Sequence, residues 1–114
     1  MAYQLAAVYD HPRGRVYKLQ ADGKDISVLL THHVLSRLTQ WRLTDDLVVR
    51  AMLFPEEVLM GHHGRFIAHL RRGEHLVRVI YEYEAKLPVA VTVYSPSVKR
   101  YFQGGGIYED RILS

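Results

Sequence analysis

The first thirty residues read as short apolar runs separated by turn residues. Residues 3–9 are mostly apolar, Asp10-His11-Pro12-Arg13-Gly14 is a turn, and residues 15–19 can return, which predicts a hairpin within residues 1–25. Asp22-Gly23-Lys24-Asp25 is a second turn, followed by a short strand over 26–30. The period then changes. Thr31 is placed to cap a helix over 32–40, with Val34, Leu35 and Leu38 as its apolar stripe. Thr44 repeats the device. Asp45 and Asp46 fall in the first turn, where negative charge suits the helix dipole, and Leu47, Val48, Ala51 and Met52 follow until Pro55.

Beyond Pro55 the pattern becomes a meander. A short strand over 57–60, the turn Gly61-His62-His63-Gly64, alternation over 65–71, the turn Arg72-Gly73 and alternation over 76–84 follow one another. Leu87-Pro88 breaks the run before a β-branched strand over 89–94. Ser95-Pro96-Ser97 opens a short helix through Tyr101, and Gly104-Gly105-Gly106 precedes an apolar tail over 107–113. Two helices followed by a three- to four-stranded antiparallel sheet is an α+β arrangement. The expectation is one domain over 1–114, divided into a hairpin extension (1–25), a core (26–102) and a C-terminal arm (103–114) that packs on this domain or on a second copy in a homodimer.

Alternation assigns faces. Phe66, Ala68 and Leu70 are expected to face the helices, with Val77, Val79, Tyr81 and Tyr83 in the next strand and Val89, Val91 and Val93 in the last. The opposite face then carries Arg65, His69, Arg71, Arg78, Thr92 and Tyr94. Cations, an imidazole and a phenol on one face suit the binding of a phosphodiester and the movement of protons around it. The bland counterpart is an open face covered by amphipathic side chains, which is common in antiparallel sheets. On the first helix, His33, Arg37 and Trp41 recur at spacings of four.

Charge sharpens this picture. Residues 1–61 hold seven Lys/Arg and seven Asp/Glu, whereas residues 62–101 hold seven Lys/Arg and three Asp/Glu. A cationic second half favours a polyanion or an acidic protein partner. The absence of cysteine excludes a disulfide framework and thiolate metal sites. The first residues carry no signal-peptide pattern and no run is long enough to span a membrane, so the cytoplasm is the expected location. His62 and His63 with His69 or His75 lack any strong zinc spacing, so neither a metal nor another cofactor is expected. Tyr81, Tyr83, Tyr94, Tyr101 and Phe102 offer stacking platforms to a nucleic-acid-binding module, or core residues to a plain domain.

The segments His33-Val-Leu-Ser-Arg37-Leu, Pro55-Glu-Glu-Val58, Gly64-Arg65, Leu76-Val-Arg-Val-Ile80, Val91-Thr-Val-Tyr94 and Lys99-Arg100-Tyr101 resemble a domain family related to the RelE/BrnT-type toxins. The resemblance covers about residues 26–102. It departs at Trp41-Arg42, where the family usually has Arg-Gly, and residues 1–25 have no counterpart in the pattern. It implies two N-terminal helices packed on an antiparallel sheet, and a metal-independent ribonuclease encoded beside an acidic antitoxin. At matching positions it implies His33, Arg37, Arg65, Arg78 and Tyr94 as site residues. The chemistry expected is attack of a ribose 2′-hydroxyl on phosphorus, with His33 or His69 as acid or base, Tyr94 as donor and Arg65 and Arg78 on the phosphorane oxygens. Arg37, Arg71, Lys99 and Arg100 would hold the RNA backbone. The alternative is an RNA- or DNA-binding or protein-interaction module that uses the same face without turnover.

Overall fold

The computed structural model describes residues 2–114. Its N-terminal third is a meander of β1 (Gln4–His11), β2 (Gly14–Ala21) and β3 (Lys24–Thr31), each paired antiparallel with the next. The β2–β3 link is the two-residue loop Asp22-Gly23, with both residues at positive φ (51° and 72°), the twist that a tight hairpin requires. Gly14 is obligatory at the start of β2, because any Cβ there would collide with the Leu30 carbonyl. A second meander contains β4 (Glu57–Met60), β5 (Phe66–Arg72), β6 (His75–Glu84) and β7 (Leu87–Tyr94).

The two meanders are one sheet. β3 lies parallel to β7, with Leu29 opposite Val89 and Leu30 opposite Ala90, giving the order β1-β2-β3-β7-β6-β5-β4. This overturns the expected two helices on a three- to four-stranded antiparallel sheet. The sheet is seven-stranded and mixed, and residues 1–25 carry two of its strands instead of extending a smaller core. Hairpin signals report only neighbours in sequence. The pairing that joins the halves is a long-range contact selected by apolar fit, and no local pattern announces it.

The helices are short. α1 (His32–Arg37) and α2 (Asp45–Leu53) form, with β4 to β6, the crossover between the two parallel strands. Both caps follow the sequence expectation: Thr31 accepts from Val34 N (3.3 Å) and Thr44 from Leu47 N (3.2 Å). α1 stops at Arg37 instead of reaching residue 40, because the chain tightens into turns closed by Leu43 N donating to Leu38 O (2.8 Å), with Arg42 at φ 55°. α2 packs on β5 and β6, and α1 lies along β7 at the end of β3. The third helix, α3 (Val98–Tyr101), is a single turn. Among the described residues no helix is long and apolar enough to cross a membrane.

The core lies between the helices and one sheet face, with Tyr17, Leu30, Val34, Met52, Val79, Tyr81 and Val93 all buried. Burying each such side chain stabilises the fold by roughly 1.5–3 kcal/mol. On the other sheet face a smaller cluster of Val16, Leu29 and Val89 is also buried. Val89 and Val91 therefore do not share the inner face with Val93 as strict alternation predicts. A bulge between Ile80 and Tyr81 shifts the register, pairing Tyr81 with Ala90 and turning Val89 and Val91 outward.

The C-terminal arm packs on its own chain. Val58 N donates to Ile107 O (2.8 Å) and Glu109 N to Val58 O (2.9 Å), a one-step parallel bridge to β4. Tyr81 and Tyr83 both donate their hydroxyls to Asp110 Oδ2, at 2.9 and 2.6 Å. Burial, with that carboxylate second, pushes both phenols well above their ordinary range. Ile112 and Leu113 complete the contact against the main core.

Candidate functional site

Strand register builds the site. Glu57 on β4 stands opposite His69 on β5, His69 opposite Arg78 on β6, and Arg78 opposite Tyr94 on β7. Four polar side chains thus form one row across the outer face. His69 Nδ1 lies 2.7 Å from Glu57 Oε2, Arg78 Nη1 lies 2.7 Å from His69 Nε2, and Arg78 Nε donates to the Tyr94 hydroxyl at 2.8 Å.

This row fixes the state of His69. A guanidinium has donors only, so Nε2 must supply the lone pair and Nδ1 must carry the proton given to Glu57. The imidazole is neutral and locked in one tautomer. Burial pushes its pKa below the ordinary value, and the nearby Arg78 charge acts in the same direction against the opposing pull of Glu57.

Glu57 is fully buried, and its charge is met by three donors: His69 Nδ1, Gln103 N (3.0 Å) and Gly104 N (2.7 Å). The last two come from the chain after α3, where Gly104 adopts φ 76° to aim its amide inward. α3 is held over the sheet by Leu76 N donating to Pro96 O and Val98 N to Glu74 O, both at 2.9 Å. It sets the Tyr101 ring 4.3 Å from the Arg78 guanidinium carbon. Arg78 is therefore half-buried, stacked on Tyr101, and held by neutral partners. Among the described residues no carboxylate pairs with it directly; Glu57 acts on it through the imidazole.

The remaining expected site residues spread out from this row. His33, exposed in the first turn of α1, has Nε2 3.3 Å from Thr92 Oγ1, two residues along β7 from Tyr94 on the same face. Trp41, next in that helical series, packs its ring 6.3 Å from that of Tyr94. Arg37 at the end of α1 donates to Gln40 Oε1 (2.6 Å) and does not join the row. Arg65 precedes β5 and pairs with Glu82 (2.9 Å). Arg71 pairs with Glu56 (2.7 Å) and lies over Phe102. Lys99 and Arg100 are exposed on α3.

The structure thus gathers His69, Arg78 and Tyr94, brings His33 alongside, and leaves Arg37, Arg65 and Arg71 with partners of their own. Glu57 is the member that pattern reading did not single out, and only its register opposite His69 could have found it. Tyr101, expected as a stacking platform for a base, stacks on Arg78 instead, a contact made by the fold-back of α3. Among the described residues no group of three His, Asp or Glu side chains is placed to hold a metal.

Comparison with known proteins adds no assignment: no family model, no curated protein and no solved structure matches this chain.

Proposed function

We propose that the face around Arg78 binds the phosphodiester backbone of RNA and cleaves it without a metal. The observation that carries this reading is Arg78 itself, a half-buried guanidinium held by His69 and Tyr94 and left without a direct carboxylate partner. Such a cation is preorganised for an anion, because orienting it costs nothing further when charge develops nearby. The cationic bias of residues 62–101 supports the same substrate.

The chemistry follows from which atoms remain free. His69 has no lone pair left, so it positions Arg78 and does not move protons. His33 takes the 2′-hydroxyl proton, and the 2′ oxygen attacks phosphorus. Arg78 stabilises the phosphorane oxygens through its unused N–H groups. The Tyr94 oxygen accepts from Arg78, so its own proton is free to go to the departing 5′ oxygen as the P–O5′ bond breaks. The products are a 2′,3′-cyclic phosphate and a 5′-hydroxyl, and solvent restores both proton states. The activity so read is a cytoplasmic one.

Incubating the protein with mixed-sequence RNA in EDTA tests this. Cyclic-phosphate ends are expected, with cleavage reduced about 10²- to 10³-fold by Arg78→Ala. The occupied Nε2 of His69 favours one competing reading, RNA binding without turnover, since it leaves a single imidazole near the row. Absence of cleavage with tight, salt-sensitive RNA binding would decide for that module. Parallel losses of rate and melting temperature in Arg78→Ala would make the arginine structural.

A further inference from the structure

A cleft of about 520 Å³ opens where the α1–α2 connection meets the β5–β6 hairpin and the end of β7. It is lined by Gln40, Trp41, Arg42, Arg72, His75 and Ser95. Its size lies within the roughly 300–1,000 Å³ typical of small-ligand sites. Two arginines and a histidine converge there, and no carboxylate lines it. Among the described residues neither Arg42 nor Arg72 has a carboxylate partner. Arg72 is instead anchored by donating Nη1 to the Arg42 carbonyl (2.8 Å), which holds its guanidinium at the hairpin end with its other donors unassigned.

The cleft also carries an aromatic surface. Trp41 is only half-buried, and its ring sits beside Tyr94, the phenol that holds Arg78. Ser95 follows Tyr94 directly in the chain. A ligand in the cleft would thus be separated from the Arg78 row by a single aromatic pair. Cations beside a partly exposed indole are the combination that holds single-stranded nucleic acid, with phosphate on guanidinium and base on ring. Base pairs within a helix keep their faces stacked on one another, so such a cleft selects an unpaired nucleotide.

We infer that this cleft is a binding subsite for one nucleotide of single-stranded RNA, next to the one held at Arg78, with Arg72 and His75 on its phosphate and Trp41 against its base. The inference rests on the RNA reading of the Arg78 face and adds a substrate form to it: unpaired RNA extending past the scissile linkage around the end of β7.

Trp41 is the only tryptophan in the chain, so its fluorescence reports on this cleft and, through the adjacent Tyr94 ring, on the near edge of the Arg78 row. A short oligodeoxynucleotide, which cannot be cleaved by 2′-hydroxyl attack, is the probe. Saturable quenching of Trp41 is expected, weakened by salt and shifted roughly tenfold or more to weaker binding by Arg72→Ala, as loss of a charge-assisted hydrogen bond implies. Arg72 and His75 are exposed, and His75→Gln provides a second variant with the fold checked by its melting temperature. In Arg78→Ala saturable quenching should remain at a weaker affinity, since only the neighbouring nucleotide loses its phosphate contact. Absence of quenching, equal quenching by inorganic phosphate alone, or an unchanged affinity in both variants would overturn the subsite. Quenching without any RNA cleavage would leave the subsite standing and remove the ribonuclease reading; cleavage without quenching would do the reverse.

Discussion

One face of the sheet is used in two different ways along its width. Over β2, β3 and the start of β7 it buries Val16, Leu29 and Val89, an apolar patch with no titratable group in it. Over β4 to β6 and the end of β7 it carries Glu57, His69, Arg78 and Tyr94, covered by α3 and the chain behind it. The apolar end gains stability simply by leaving water. The polar end is stable only because each buried group has a partner: Glu57 accepts three hydrogen bonds and both nitrogens of His69 are engaged. Its one direct ionic vacancy is at Arg78. On a sheet of this kind the reactive position is the half-buried charge whose immediate partners are neutral.

Substitutions can break that contrast. The largest effect is expected from Glu57→Ala, which leaves His69 and two backbone amides without their acceptor. Loss of a buried charged partner typically costs about 3–5 kcal/mol. Thermal unfolding measures the loss, and RNA binding should fall with it as Arg78 loses its support. At the apolar end, Leu29→Ala should cost about 2–5 kcal/mol by leaving a cavity, with RNA affinity per folded molecule unchanged. A fall in affinity equal to that of Glu57→Ala would erase the distinction between the two ends.

Acidity should act on the polar end alone. The folded protein holds His69 neutral below the ordinary histidine pKa of about 6.5, while the unfolded chain takes up the proton. Its contribution is therefore complete above about pH 6.5 and is lost as the pH falls through the window below. Melting temperature followed from about pH 8 to 5 should decline more steeply in the wild type than in His69→Gln. The smallest effect is expected at Arg65, exposed and paired with Glu82 on the same sheet face. Arg65→Ala should change stability by less than about 1 kcal/mol, and cleavage by little; a loss of turnover matching Arg78→Ala would bring Arg65 into the site.

Much of the local structure was legible in the residue pattern. The two helix caps, the Asp22-Gly23 turn, and the alternation of β5 and β6 follow from chemistry that acts within a few residues. Alternation also put His69, Arg78, Thr92 and Tyr94 on one face, as the register confirms. Three features were not legible in the same way. The parallel contact of β3 with β7 made one mixed sheet of two meanders, the bulge at Ile80 turned Val89 and Val91 outward, and the fold-back after Tyr101 delivered two amides to Glu57.

The division has a physical basis. Period, capping and turn preference are properties of short stretches, so the chain states them wherever it is read: three helices, the strand positions and the outward set of charged side chains. The pairing of distant strands depends on which apolar surfaces fit once loops close. A group's chemical role depends in turn on who its neighbours are after that closure. Sequence alone therefore nominated His69 for proton transfer, and tertiary structure made it the support of Arg78, because a lone pair already given to a guanidinium is no longer available as a base.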